Sequence, residues 1–421
     1  MIGILPLLVF VLLFVGGGVI FGLMGIHEAF YQLPPTVAIL PAIGLAWWMR
    51  GKSAAEAFFL GVGQRDILLM CCVFLLAGAF GQITKDIGAI ESVVNIGLGF
   101  VSPEWLAMGV FFVSAFIGTA IGTSMGAIIA VAPVVVAMGA HIQCDMALMM
   151  GAVVGGAMFG DNLSLVSDTT IAAVSSLEAD GTSKFILNAK LAFMSAFICS
   201  FFLFDAHPGS VIHISGNSLW VLVIPYILLV FLSLCHLNVF LTLIISSLVA
   251  ILIGSTSGDY SVLQGIKSIQ VGFIGMADIV MLSLMIGGLT GLMGKEVMLG
   301  IGLRLAGWVQ RFGDARMAQF LMIKLGVVCD ALLANNTIAI IIAAPVVRDL
   351  ADRYHIQRHI AAAWLDISSC VMQGLIPYGA QVLLASTLAG ISPLWIVVKV
   401  HYCWILALVL IAHVVLFGKN H

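Results

Sequence analysis

Charge is what this chain has least of. Lysine, arginine, aspartate and glutamate together make up 9% of its 421 residues, against about 25% in a soluble domain. No polar stretch is long enough to form a soluble domain between the apolar runs. The formal net charge of −3 leaves no basic surface for a nucleic acid, so no nucleic-acid partner is expected. Eight cysteines are present, but they form no C-x-x-C pair and no disulfide framework. They read as small apolar packing residues. Met1–Gly25 lacks a basic leader and a small-x-small cleavage site, so it reads as a transmembrane helix and not as a signal peptide.

Hydrophobic residues fill the space that charge leaves, at 62% of the chain. Runs such as Ile4–Phe21, Leu219–Leu234 and Leu237–Ile253 approach the ~20 residues that cross a bilayer. The expected fold is an all-α polytopic membrane protein in a lipid bilayer. Trp47, Trp48, Trp105, Trp220, Trp308, Trp395 and Trp404 read as interface anchors.

The chain also repeats itself. IIAVAPVV at Ile128–Val135 returns as IIIAAPVV at Ile340–Val347, 212 positions later, and the same offset carries Gly63 to Gly275 and Asp66 to Asp278. LLAGAFG at Leu75–Gly81 resembles MIGGLTG at Met285–Gly291. Loop charges oppose one another between the two halves. Arg50, Lys52 and Arg65 face a counterpart holding only Asp259 and Lys267. Lys85, Asp86, Glu91 and Glu104 sum to −2, whereas Lys295, Glu296, Arg304, Arg311, Asp314 and Arg316 sum to +2. Around His141–Asp145 the loop is acidic, and its counterpart carries Arg348, Arg353 and Arg358 against Asp349 and Asp352. Because lysine and arginine favour the cytoplasm, opposite bias predicts two inverted repeats.

The predicted organisation follows. Residues 1–32 form an N-terminal transmembrane helix, residues 33–204 the first repeat, residues 205–236 a connection containing a transmembrane helix, and residues 237–417 the second repeat. In the first repeat, residues 105–139 have two external flanks, so they cross twice or form a re-entrant hairpin whose tip is GTAIGTSMG, Gly118–Gly126. In the second, residues 317–347 have two cytoplasmic flanks and the tip ANNT, Ala334–Thr337. Glycines and hydroxyl or amide side chains suit a chain reversal at membrane depth. The working expectation is about ten transmembrane helices plus two oppositely directed hairpins, with both termini cytoplasmic. Val93–Phe100 and Val297–Phe312 read as interfacial arms. Broken helices follow each hairpin, over residues 145–177 and 360–390. Their breaks fall at Gly160–Thr170 and at Gly374–Gln381, where Pro377 cannot continue a helix.

GGAMFGDNLSLVSDTT, Gly155–Thr170, is the most polar stretch inside the apolar sequence. Ionisable groups at that depth mark a functional site. Sodium takes hard oxygen ligands, and a broken helix beside a hairpin tip supplies carboxylates, hydroxyls, amide oxygens and freed carbonyls. Asp161, Ser164 and Asp168 are the candidate sodium ligands. Thr123, Ser124, Asn162, Ser167 and Thr169 are further candidates, and Asn335, Asn336 and Thr337 would supply the second half of the site. Asp161 and Asp168 are seven apart, which is two turns if the stretch is helical, so both would face one cavity. They are also the leading candidates to carry a proton. Asp330 reads as a helix residue paired with Lys324 or a backbone donor. No resident cofactor is expected; sodium enters as cargo or coupling ion.

At these residues the chain resembles the NhaC-type sodium/proton antiporter family of the ion-transporter superfamily. That family's pattern G-T-S, then G-D-x-x-S-P-x-S-D-T-T, stands here as Gly122-Thr123-Ser124 and Gly160-Asp161-Asn162-Leu163-Ser164-Leu165-Val166-Ser167-Asp168-Thr169-Thr170. Its L-I-P-[WY] stands as Leu375-Ile376-Pro377-Tyr378. The acidic residue that the family carries eleven positions before that proline is Asp366, a third proton-coupling candidate. Two departures stand out. Leu165 replaces a proline, and Asn335-Asn336-Thr337 is closer to the Ser-Asn-Thr tips of the sodium–dicarboxylate branch. The resemblance implies an elevator-type arrangement of scaffold and transport domains, a homodimer, and a place in the cell inner membrane. It implies a secondary transporter, foremost one that exchanges sodium for protons by alternating access. The rival is sodium-coupled transport or exchange of a small amino acid or organic acid, malate- or lactate-like.

Two enzyme patterns are decoys. Gly122–Gly126 fits G-x-S-x-G, but a nucleophile elbow needs a strand–turn–helix in an α/β sheet, and His141 is the only histidine near Ser124 in sequence. Phe159-Gly160-Asp161 lacks the Tyr-Asp partner of an intramembrane aspartyl protease. An intramembrane hydrolase is therefore only a remote alternative.

Overall fold

The computed structural model describes residues 5–24, 32–89, 92, 103–141, 144–164, 167–204, 220–235, 237–256, 260–294 and 314–418. Leu165, Glu91, Asp259, Trp308 and both interfacial arms lie outside the described residues.

Among the described residues every regular element is helical. With so few polar side chains to meet backbone groups, each N–H and C=O is best satisfied within its own helix. The first part of the chain forms α1 (Leu5–Leu23), α2 (Pro35–Arg50), α3 (Ala54–Val62) and α4 (Arg65–Asp86). There follow α5 (Leu106–Ile121), α6 (Ser124–His141), α7 (Met146–Leu163), α8 (Asp168–Leu177) and α9 (Gly181–Phe202). After α10 (Ile224–Leu234) come α11 (Val239–Thr256), α12 (Val262–Gly275) and α13 (Ala277–Met293). The chain closes with α14 (Ala315–Leu333), α15 (Asn336–Arg353), α16 (Arg358–Leu375), α17 (Ala380–Ala389), α18 (Pro393–Lys399) and α19 (His401–Phe417).

Among the described residues five helices are long and apolar enough to cross a membrane, or up to seven if each of two bent pairs is one span. The interrupted segments Met146–Leu177 and Arg358–Ala389 are among them. Shorter apolar helices add to these, including Leu106–Ile121 and Ser124–Val136. Trp47, Trp48, Trp105, Trp220, Trp395 and Trp404 all lie on the exposed surface, whereas Trp364 is fully buried.

Element boundaries return at the offset seen in the sequence. Moving 212 positions along the chain carries α6 onto α15, α7 onto α16 and α8 onto α17, end for end. Two reversals also correspond. Gly122, between α5 and α6, has φ 78°, and Ala334, between α14 and α15, has φ 49°. Packing is exchanged between the halves: α3 lies on α13, α4 on α12, α6 on α17 and α8 on α15.

Glycines set how closely α5 and α7 approach. A Cβ on Gly160 would come within 2.5 Å of the Thr119 nitrogen and 2.6 Å of Gly118. Backbone faces backbone there, as small residues allow between membrane helices. The charged loops act at the ends of the bundle. Glu178, just beyond α8, pairs with Arg348 of α15 and accepts from Arg358 at 3.0 Å. The hydrogen bond and charge of Arg348, then those of Arg358, hold this carboxyl below the usual glutamate range.

Two outcomes follow. Gly160→Ala should destabilise the protein by about 1–3 kcal/mol, because backbone must move to admit the methyl group. Gly44→Ala in α2, where nothing lies within 4 Å, should be neutral or mildly stabilising; thermal unfolding of the two variants checks the contrast. A lowered carboxyl adds stability above its unfolded-state pKa and loses it as pH falls through its folded value. The melting-temperature gap between wild type and Glu178→Gln should therefore be constant at neutral pH and close as pH falls below the ordinary glutamate range. The gap should be small, because Glu178 is exposed.

Candidate functional site

At the first interruption α7 ends at Leu163 with Ser164 extended, and α8 begins at Asp168 behind an extended Ser167; residues 165 and 166 lie outside the described residues. This interruption is narrower than the Gly160–Thr170 stretch expected, so Asp161 belongs to the last turn of a regular helix. The second spans Ile376–Gly379, between α16 and α17.

Asp161 is 4% exposed and accepts two hydroxyl hydrogen bonds. Ser167 Oγ donates to Oδ1 at 2.6 Å, and Ser124 Oγ donates to Oδ2 at 3.1 Å. A hydroxyl has one proton to give. With that proton spent on Asp161, Ser167 receives the one from Thr169 Oγ1, 2.7 Å away. Ser167 also accepts from the Thr169 amide at 3.3 Å and so caps α8. Ser124 in turn accepts from Gln381 Nε2 at 3.2 Å. Gln381 Oε1 accepts from Gln373 Nε2 at 2.7 Å, and the same nitrogen lies 3.2 Å from the Ala334 carbonyl. A chain of donors thus runs from Gln373, which also donates to the Ala334 carbonyl in the turn before α15, through Gln381 and Ser124 to the Asp161 carboxylate.

A second polar group lies beside it. Asp366 of α16, fully buried, forms an ion pair with Lys184 of α9, which is 1% exposed. Asn188 Nδ2 donates to Asp366 Oδ2 at 2.9 Å and to the Asn162 carbonyl at 3.2 Å. Lys184 Nζ also donates to Thr170 Oγ1 at 2.6 Å. Asp366 lies within electrostatic range of Asp161.

The other expected residues divide. Ser164 and Asn162 are buried at the end of α7, with the Asn162 side chain next to the Tyr402 hydroxyl. Asp168 is exposed at the first position of α8. The interruption breaks the helical register that would have set it on one face with Asp161, and the two carboxylates sit in different surroundings. Thr123 Oγ1 accepts from the Gly126 amide at 2.9 Å, which makes it a helix cap. Asn335 Oδ1 caps α15 through the Ile338 amide at 3.0 Å, and Asn336 Oδ1 accepts from the Thr337 amide at 3.1 Å. These three residues of the second turn are half-buried, and Asn335 lines a cavity of about 540 Å3 with Arg50, Glu56, Gln64 and Thr290. Asp330 is fully buried, and neither of its carboxylate oxygens has a hydrogen-bond partner among the described residues. Lys324 is exposed, so the pairing expected between the two is not formed. Among the described residues no three His, Cys, Asp or Glu side chains gather as they would around a transition metal.

Gln373, Gln381, Lys184 and Asn188 were not singled out from sequence. The internal offset would have found two of them: Gln373 stands 212 positions after Asp161, and Gln381 the same distance after Thr169. Lys184 was visible as a charge inside the apolar run Gly181–Phe202.

Comparison with known proteins bears on what this arrangement serves. The profile of the Na+/H+ antiporter family matches residues 59–207 and 207–418, nearly the whole chain. The chain belongs to that family. The Malate-2H(+)/Na(+)-lactate antiporter of Bacillus subtilis is 21% identical over 85% of this chain and 82% of its own length. The Na(+)/H(+) antiporter NhaC of Alkalihalophilus pseudofirmus is 27% identical, over 33% of this chain and 30% of its own. The crystal structure of the Alcanivorax borkumensis YdaH transporter aligns over 90% of both chains at 14% identity and a TM-score of 0.42. The protein is thus a multi-pass membrane protein of a sodium-transporting antiporter family.

If the donor chain prepares Asp161, Ser124→Ala should weaken sodium binding about tenfold, the loss of one hydrogen bond to a charged group. Gln381→Ala should do so less, because Ser124 can still donate. Sodium-dependent shifts in melting temperature give both affinities.

Proposed function

We propose that this family member exchanges sodium for protons by alternating access, with Asp161 as the group for which the two cations compete. The observation that carries this reading is the buried Asp161 carboxylate, held by Ser124 and Ser167 where an interrupted helix meets a helical turn. The hydroxyl oxygens of Ser124 and Thr169 keep lone pairs of the hard kind that sodium prefers. The carbonyl end of α7 adds a negative partial charge. A bound cation favours the ionised carboxylate; once it leaves, a proton is the replacement that keeps a buried carboxyl uncharged. Exchange follows from that competition. No resident cofactor is needed.

The frame of this reading is two inverted repeats of about the same length, each with a re-entrant hairpin and a broken helix, in a fold of about ten spans. It is supported by the recurring boundaries, the exchanged packing and the opposite loop charges. The hairpins and broken helices would move as a transport domain against a scaffold of α2–α4 and α11–α13, in a homodimer of the inner membrane with both termini cytoplasmic.

A second reading has its own support. The relative matched over most of its length is a malate/lactate antiporter, and the cavity at Asn335 carries Arg50, whose charge suits a carboxylate. In that case sodium or protons move against a small organic acid.

Liposomes holding a pH-sensitive dye separate the two. With the membrane potential clamped and sodium added outside, entering sodium should drive protons out and raise the interior pH. Asp161→Asn should abolish the rise. A pH response that needs malate or lactate on one side would overturn proton exchange in favour of the second reading.

A further inference from the structure

Lys184 is poorly placed for the helix that carries it. It stands in the first turn of α9, where the macrodipole disfavours a positive charge, and it is 1% exposed in the interior of a membrane protein. Ammonium groups at such depth are rare and tied to function. The groups brought to this one are oxygens: a carboxylate oxygen of Asp366 and the Thr170 hydroxyl. One turn on, Asn188 ties the Asp366 carboxylate to the Asn162 carbonyl, one residue from Asp161. Two more oxygens at this point, Asn188 Oδ1 and Asp366 Oδ1, are buried without a hydrogen-bond partner among the described residues. Carboxylate, hydroxyl, amide and backbone oxygens beside a helix interruption are the ligand set of an alkali cation.

We infer that the Lys184 ammonium is a tethered cation, filling a second cation position of the transport site. The inference rests on the reading of Asp161 as the cation-exchanging group. Lysine and sodium carry the same charge, but lysine cannot leave. Of the two buried carboxylates at this point, Asp366 is therefore permanently neutralised and Asp161 takes the mobile ion; Asp168, at the start of α8, is exposed. The site exchanges one cation per cycle where the same oxygens without Lys184 would take two. Lys184 itself touches no cargo and acts by holding a place.

The test is thermal unfolding of the purified full chain across sodium concentrations, with choline as control. Wild type should be stabilised by sodium with a Hill slope of about 1. Lys184→Met removes the charge and keeps much of the bulk. It should be destabilised in choline and recovered by sodium with a slope near 2. Lys184→Met/Asp366→Asn, which removes both charges, should return to the wild-type slope. A merely structural ion pair would lose stability in Lys184→Met without changing the sodium slope, and that outcome overturns the inference. So does failure of sodium at any concentration to recover Lys184→Met. A wild type indifferent to sodium, matched by an equally indifferent Asp161→Asn, is a different result. It removes the parent reading and this inference with it.

Discussion

A carboxylate that carries its charge in an apolar interior needs donors aimed at it, and whereas the buried Asp330 has none among the described residues, the helices around Asp161 supply two. One donor, Ser167, lies in the interruption that follows on the same chain segment. The other, Ser124, comes from the turn between α5 and α6. Neither is available unless α7 stops at Leu163 and the preceding helices reverse at Gly122. The close contact of α5 with α7 at Gly118 and Gly160 then brings the turn within reach. The interruption, the reversal and the glycine contact are parts of one requirement.

The opposite half meets a milder version of the same problem with amides. Gln373 takes the position of Asp161, and Gln381 that of Thr169, so the second interrupted helix is polar but uncharged at the corresponding depth. Those amides are spent on the first half, through Ser124. The resulting cluster draws on both halves of the chain yet has the Asp161 carboxylate in only one of them.

Much of this was legible in the sequence because membrane depth makes polarity conspicuous. The all-helical class follows from the apolar runs, and the two reversals near Gly122 and Ala334 and the two helix interruptions from polar or breaker residues within them. The resolution was coarser for register. Asp161 and Asp168 look equivalent in sequence, and only the four-residue gap between α7 and α8 buries one and exposes the other. Thr123, Asn335 and Asn336 have the chemistry of ligands but meet local backbone amides, a competition that short polar side chains at helix starts commonly enter. The glutamines were hidden for the opposite reason. An amide draws little notice until its partners across the fold are known.

Counting lone pairs around Asp161 has a consequence for speed. Ser167 gives one proton and receives two, from the hydroxyl and the amide of Thr169, whereas Ser124 gives one and receives one and so keeps an electron pair. On the proposed reading, an ion meeting Asp161 and Ser124 would shed its own water without having to displace protein from protein. The hydrogen bonds that hold the carboxylate can persist while cargo comes and goes. Turnover would then be governed by how fast the ion sheds its hydration and how fast the surrounding helices shift, with little delay from rebuilding the site between loads.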